Sequence, residues 1–235
     1  MMGEDYTGVQ AQAQEQEPIR INTNDLLVKV FYRMFLGLLA TAAVAGITYY
    51  TGMLETIVES GAFVGIIIAE LVVVVAFSLG FRKFSVNVVN FLFFAYACLT
   101  GVTFACLFVV FELESILFAF AGTAAVFGVL AYIGKNTQKD LTHLGTILYA
   151  TLIVGLIVSI INIFVGNAFV DIALDWVMLL VFMGFTVYDM NKITAMSNAG
   201  ITDNEHLYVY GAMQLYLDFI NLFIRLLSLF GKRRS

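Results

Sequence analysis

The chain has 235 residues, of which 61% are hydrophobic and 12% charged, with a mean hydropathy of +0.92. A soluble domain carries about twice that share of charge, so the composition excludes a large water-soluble domain and leaves one compact membrane bundle. The net charge of −5 argues against a nucleic-acid partner.

Residues 1–25 carry Glu4, Asp5, a Gln- and Glu-rich run and the only proline, Pro18. That composition predicts a flexible polar tail. It lacks the basic and apolar regions of a signal peptide, so no cleavage is expected. Beyond it, seven apolar segments meet the ~20 residues that a spanning helix needs. They run over residues 26–50, 61–80, 86–111, 115–134, 144–165, 172–190 and 208–230. Residues 26–230 therefore read as a single all-α, seven-transmembrane-helix domain, followed by a short basic tail at 231–235. Short connections favour antiparallel neighbours. Gly61 and Gly65 form a small-xxx-small pattern suited to close helix approach. Cys98 and Cys106, ~12 Å apart along one helix, are beyond disulfide reach and read as small core residues. With two distant histidines, His143 and His206, no zinc cluster can be assembled.

Charge alternates between the connections. Arg20, Lys29 and Arg33 lie near the first helix, Arg82 and Lys83 after the second, Lys135 and Lys139 after the fourth, and Lys192 after the sixth. The intervening connections hold Glu55, Glu59, Glu112, Glu114, Asp171 and Asp175. By the positive-inside rule the N-terminus is cytoplasmic and the acidic loops face outward. Those loops either raise the local cation concentration or are ordinary solvated charges. Lys232, Arg233 and Arg234 conflict with seven crossings, which place them outside. Either the last helix is an atypical span buried in the bundle, or it re-enters.

In that last helix Gln214, Asp218, Asn221 and Arg225 are spaced by four, three and four residues and so share a face. A polar stripe at lipid depth must face protein or water, which predicts a central helix. A charged Asp at the bilayer centre costs roughly 2.5–3.5 kcal/mol on insertion scales, and such residues usually mark ion paths or proton relays. Asp218 has no basic residue within four positions. Asp189 either pairs with Lys192 at i+3 or approaches Asp218. Glu70 is a third carboxylate, halfway along the second segment. Arg82 ends that segment about 120° around the helix from Glu70, so the two do not share a face. Ser159 and Asn162 read as helix–helix hydrogen-bonding groups. If Asp189 and Asp218 meet, repulsion and burial both favour one proton held between them. The same oxygens suit Ca²⁺, so the chemistry points to a proton-sensitive cation path.

Five stretches, taken in order, carry a family likeness. They are Ala121-Gly-Thr-Ala-Ala-Val-Phe-Gly-Val-Leu, Gly134-Lys-Asn-Thr-Gln-Lys-Asp-Leu, Ile160-Ile-Asn-Ile-Phe, Val187-Tyr-Asp-Met-Asn-Lys-Ile and Leu215-Tyr-Leu-Asp-Phe-Ile-Asn-Leu-Phe. From about residue 20 to the C-terminus the chain resembles a prokaryotic member of the Bax inhibitor-1 family. The resemblance implies a seven-helix bundle with the C-terminal helix central, in a bacterial inner membrane. It also implies a pH-dependent calcium leak channel, with Asp189 and Asp218 as pH sensor, gate and calcium path. Arg82 fits the family's latch arginine and Glu70 its acidic residue in the second helix, with Asn221 and Arg225 as supporting polar groups. The implied partners are the lipid bilayer, protons and Ca²⁺ as the transported ion, with no cofactor.

Two membrane aspartates also suggest an intramembrane aspartyl protease. That chemistry needs Gly-x-Gly-Asp and Pro-Ala-Leu, whereas Asp218 follows Leu215-Tyr216-Leu217 and no proline follows Pro18. Serine-elbow and His-Glu-x-x-His motifs are missing as well, so no enzyme and no catalytic residue is expected. The remaining alternative is an interaction protein that modulates a membrane protease or stress response without conducting ions.

Overall fold

Long apolar runs without internal proline form helices, which satisfy every backbone group within the segment, as a membrane requires. A computed structural model describes residues 23–199 and 204–234. Arg20 and nearly all of the expected polar tail lie outside the described residues. In chain order the helices are α1 Thr23–Tyr50, α2 Met53–Glu59, α3 Ala62–Gly80, α4 Val86–Phe104, α5 Leu107–Val110, α6 Leu113–Asn136, α7 Thr142–Val165, α8 Ala168–Asn198 and α9 Asn204–Phe230. Among the described residues, seven spans are long and apolar enough to cross a membrane, with α4 and α5 together forming the third.

Several boundaries differ from expectation for physical reasons. α8 runs about two turns past residue 190, because Asn191, Lys192, Thr194 and Ser197 are polar without breaking a helix. Asp171 and Asp175, expected in a loop, lie in its first two turns. α2 is an addition, held by buried Leu54 and bounded by Gly52 and Gly61, both with φ of 73°. Gly61 therefore serves a left-handed turn. A Cβ added at Gly61 or at Gly65 would meet nothing within 4 Å, so neither position is the close helix approach expected of it. Close approaches occur instead at Gly134, where a Cβ would lie 2.5 Å from the Val187 carbonyl oxygen of α8, and at Gly101, where it would lie 2.8 Å from the Thr41 carbonyl oxygen of α1. The cysteines are also not core residues: Cys98 is exposed and Cys106 half-buried, both as free thiols.

α9 packs on α1, α4, α6 and α8, while α3 lies chiefly on α4 and α7 on α8. Half of α9's most apolar window is buried, against 6–33% for the other spans. Its Met213, Leu215, Tyr216, Leu222 and Leu227 meet Leu26, Val30, Phe93, Met190 and Ile193 in the core. The outward side chains, Phe118, Phe164 and Phe169 among them, form the apolar surface that faces lipid.

The connections sort by charge. At one end Lys135 donates to Asn24 Oδ1 (2.9 Å), Thr23 donates to Asn198 Oδ1 (2.7 Å) and Arg33 donates to Asn90. The opposite end gathers Glu55, Glu59, Glu112 and Glu114, and the C-terminal tail lies there too. α9 is one continuous helix of 27 residues, about 40 Å, long and apolar enough to cross a membrane without re-entering. Its tail pairs with the α5–α6 connection: Glu112 N donates to Lys232 O (3.0 Å) and Arg234 N to Val110 O (2.9 Å). Lys232 Nζ is 2.7 Å from Glu112 Oε1. That hydrogen bond holds the ammonium above its ordinary pKa. The basic tail is thus matched locally by acidic neighbours.

The contact at Gly101 gives a stability test. Gly101→Val should lower thermal stability in detergent by about 1–3 kcal/mol through overpacking. Gly128→Ala, where a Cβ meets nothing within 4 Å, should be neutral or stabilising by up to about 1 kcal/mol. Melting curves of the two variants check both.

Candidate functional site

The inward face of α8 carries Thr186, Asp189, Met190 and Ile193, and that of α9 carries Asp218. Asp189 is 3% exposed and Asp218 4%. Gln214, one turn from Asp218, donates Nε2–H to Asp189 Oδ2 at 3.4 Å and so links the two helices. The carboxylates lie within electrostatic range of each other. Asp189 Oδ1 and Asp218 Oδ2 are buried and accept no hydrogen bond from the described residues. Tyr149 of α7 and Tyr210 of α9 lie within electrostatic range of both.

Lys192 makes no direct i+3 salt bridge with Asp189, although its charge lies within electrostatic range of that carboxylate. Its Nζ donates to the Tyr210 hydroxyl at 2.9 Å and sits over the Tyr188 and Tyr210 rings, 5.8 and 5.5 Å from their centroids. Arg82, just beyond α3, is exposed, with its guanidinium 5.4 Å from the Phe81 ring centroid. Phe81 in turn stacks on Tyr210 at 4.7 Å. No ion pair joins Arg82 to either aspartate among the described residues. Glu70 is half-buried and apart from the aspartate pair. It accepts a hydrogen bond from Thr103 of α4 at 3.3 Å and lies within electrostatic range of Tyr96 and Tyr216. The Tyr216 hydroxyl is 2.7 Å from Thr41 Oγ1, on another side of α9.

The α9 stripe divides into two sites. Gln214 and Asp218 belong with Asp189, whereas Asn221 and Arg225 line a separate cavity of about 430 Å³ between α7, α8 and α9. There Arg225 Nη1 donates to Asp175 Oδ1 at 2.6 Å, and Ser228 Oγ donates to Asp175 Oδ2. Arg225 thus has its own carboxylate partner. Asn221 donates to the Leu217 carbonyl at 2.8 Å. Ser159 lines the same cavity. Asn162 ties the α7–α8 turn by donating to Asn167 O (3.0 Å) and Asp171 Oδ1 (2.6 Å). Asp175 is the residue that sequence reasoning does not single out, although a signal exists. Asp171, Asp175, Met178 and Phe182 repeat the four-three-four spacing of the α9 stripe and share the cavity wall.

The aspartate pair offers carboxylate oxygens with spare acceptor capacity in a buried interior, suited to taking a proton or an oxygen-seeking cation. The fold and this interior define an integral membrane protein of seven spans with an ionisable pair on the last two. A model of the family described as "Inhibitor of apoptosis-promoting Bax1" matches residues 23–235. The chain is 35% identical over 221 residues to "Inner membrane protein YbhL" of Escherichia coli K12, covering 92% of this chain and 94% of that protein. It is 34% identical over 227 residues to an uncharacterized protein of Borreliella burgdorferi, covering 94% and 97%. The chain belongs to the Bax inhibitor family, and is a multi-pass protein of the bacterial inner membrane.

A buried carboxylate with an unsatisfied oxygen costs stability, while a satisfied hydroxyl contributes to it. Asp218→Asn should therefore melt at or above the wild-type temperature. Tyr216→Phe, which removes a hydroxyl hydrogen-bonded to buried Thr41, should lose about 1 kcal/mol. Thermal unfolding in one detergent compares the two.

Proposed function

We propose that this protein is a pH-dependent calcium leak channel gated by the proton occupancy of Asp189 and Asp218. One observation carries the reading: each aspartate buries a carboxylate oxygen that accepts no hydrogen bond from the described residues. Adding a proton there changes the local charge by one and turns an acceptor into a donor. In a low-dielectric interior either change re-weights the packing of α8 on α9. Family membership supports the same reading, as does the concentration of carboxylates at one end of the bundle, which would draw cations toward it.

In this reading the basic end is cytoplasmic and Ca²⁺ approaches from the acidic end. Protonation favours the open state. Arg82 acts as a latch by moving past Phe81 toward the pair when the carboxylates are charged. Glu70, on the far side of α9, contributes a further carboxylate near the path.

The test is Ca²⁺ flux into proteoliposomes loaded with a calcium indicator, measured from alkaline to acidic buffer. Wild-type flux should rise as the pH falls. Asp189→Asn and Asp218→Asn should each flatten that dependence, since the amide carries no titrating proton. A flux unchanged in both size and pH profile in the Asp218 variant rejects the pair as sensor. Deleting residues 1–22 should leave the flux intact, whereas loss of flux would point to the tail as part of the device.

A further inference from the structure

The cavity between α7, α8 and α9 is a polar space within the helical bundle that the aspartate pair does not line. Its wall carries two carboxylates, Asp171 and Asp175, and two guanidiniums, Arg225 and Arg233, besides Ser159, Asn221 and Ser228. The lining charges therefore cancel. Arg225 is held by one ion pair to Asp175, with side chains 30% and 13% exposed respectively. Its Nε is buried and finds no acceptor among the described residues, so the guanidinium is only partly matched by its carboxylate. Arg233 arrives from the tail. Main-chain bonds on either side of it, from Glu112 N to Lys232 O and from Arg234 N to Val110 O, hold that segment extended beside Phe111. Lys232 pairs with Glu112 and Arg234 donates to the Tyr49 hydroxyl. Alternation along an extended chain turns the middle residue the other way, and Arg233 lines the cavity. At the inner end stand Met178, Phe182 and Asn221. Asn221 is three residues, about one helical turn, from Asp218 on the same face.

We infer that Arg225 is a tethered cation which occupies the carboxylate of Asp175 in place of a mobile one. The cavity thereby becomes a charge filter at the acidic end of the bundle. A free oxygen-seeking cation binds there only by displacing the guanidinium, with Asp175 and Asp171 as its carboxylate donors and Ser228 and Ser159 as neutral ones. Arg233 supplies a second, weaker positive charge at the rim. Arg225 sets which charge the path admits, while Asp218, one turn beyond Asn221, is left to the proton. The consequence for conduction rests on the channel reading above, but the competition between Arg225 and a cation does not.

The single tryptophan, Trp176, follows Asp175 in the chain and packs against Phe230. It can sensitise Tb³⁺ luminescence, with Tb³⁺ as the probe for a hard cation. In detergent-solubilised full-length protein, Arg225→Gln should tighten the Tb³⁺ half-saturation by about tenfold, the scale of deleting one like charge from a partly screened site. Arg225→Lys should restore wild-type behaviour, and Asp175→Asn should abolish the signal. Arg233→Gln, at an exposed position, should tighten binding by a smaller factor. In proteoliposomes Arg225→Gln should raise cation flux at fixed pH, and Asp175→Asn should lower it. Wild-type Tb³⁺ affinity in both arginine variants, each still folded by circular dichroism, overturns the inference even where the pH-gated flux is intact. Tightened Tb³⁺ binding in liposomes that carry no flux supports the filter and removes the channel reading instead.

Discussion

The whole arrangement depends on one constraint: α9 carries polar side chains through a depth where water cannot satisfy them. An unsatisfied polar group in hydrocarbon costs several kcal/mol, so each must find a protein partner. Tyr216 finds Thr41 on α1, Gln214 finds Asp189 on α8, and Arg225 and Ser228 find Asp175, also on α8. Those partners lie on different helices, so α9 needs neighbours on more than one side. This is why α9 packs on α1, α4, α6 and α8, while α3, whose window is only 6% buried, can turn most of its surface to lipid.

The two carboxylate sites that α8 shares with α9 obey the same rule with opposite outcomes. Asp175 has a guanidinium on one oxygen and a hydroxyl on the other. Removing either charge from such a pair strands its partner, at up to about 3–5 kcal/mol when fully buried and less at this partly exposed site. Asp189 and Asp218, more deeply buried, each keep an oxygen with no donor among the described residues. A matched carboxylate is a poor switch because changing its charge disrupts a bond that already exists. An under-satisfied one carries its cost in every state, so a proton shifts the balance readily. Residues that keep a fold below its attainable stability are those expected to carry function.

Hydropathy is enough to place all seven spans, because membrane helices need length and apolarity more than specific partners. The four-three-four stripe shows that α9 has a polar face. Periodicity names a face, however, and not what stands opposite it. Spacing alone groups Arg225 with Asp218, two turns away on the same face, although its partner is Asp175 on another helix. Spacing also offers Lys192 as a partner for Asp189, yet its flexible stem takes the ammonium to the Tyr210 hydroxyl and two ring faces, from where it acts on Asp189 only at a distance. Gly61 has the look of a packing residue, but a lone glycine at a helix boundary serves backbone conformation equally well, and only φ separates the two. The basic tail conflicts with the crossing count because loop-charge statistics treat each charge as solvated. Lys232 is instead paired with Glu112 at the acidic end.

Asp218 and Arg225 are seven residues apart on one continuous helix, about 10 Å along its axis. Arg225 bonds to Asp175 of α8, and Asp218 lies within electrostatic range of Asp189 on the same helix. A helix transmits rotation and translation along its length, so α9 cannot shift at one carboxylate contact while remaining fixed at the other. Charge matching holds the Asp175 contact, whereas the Asp189 contact is held by packing and a long hydrogen bond from Gln214. Under the proposed gating, the weaker contact is the one a proton would alter, and the stronger one would set how far α9 moves in response. In the proposed channel, a proton site at Asp218 and a cation site at Asp175 would need no separate relay, because both would be read by the same rigid element.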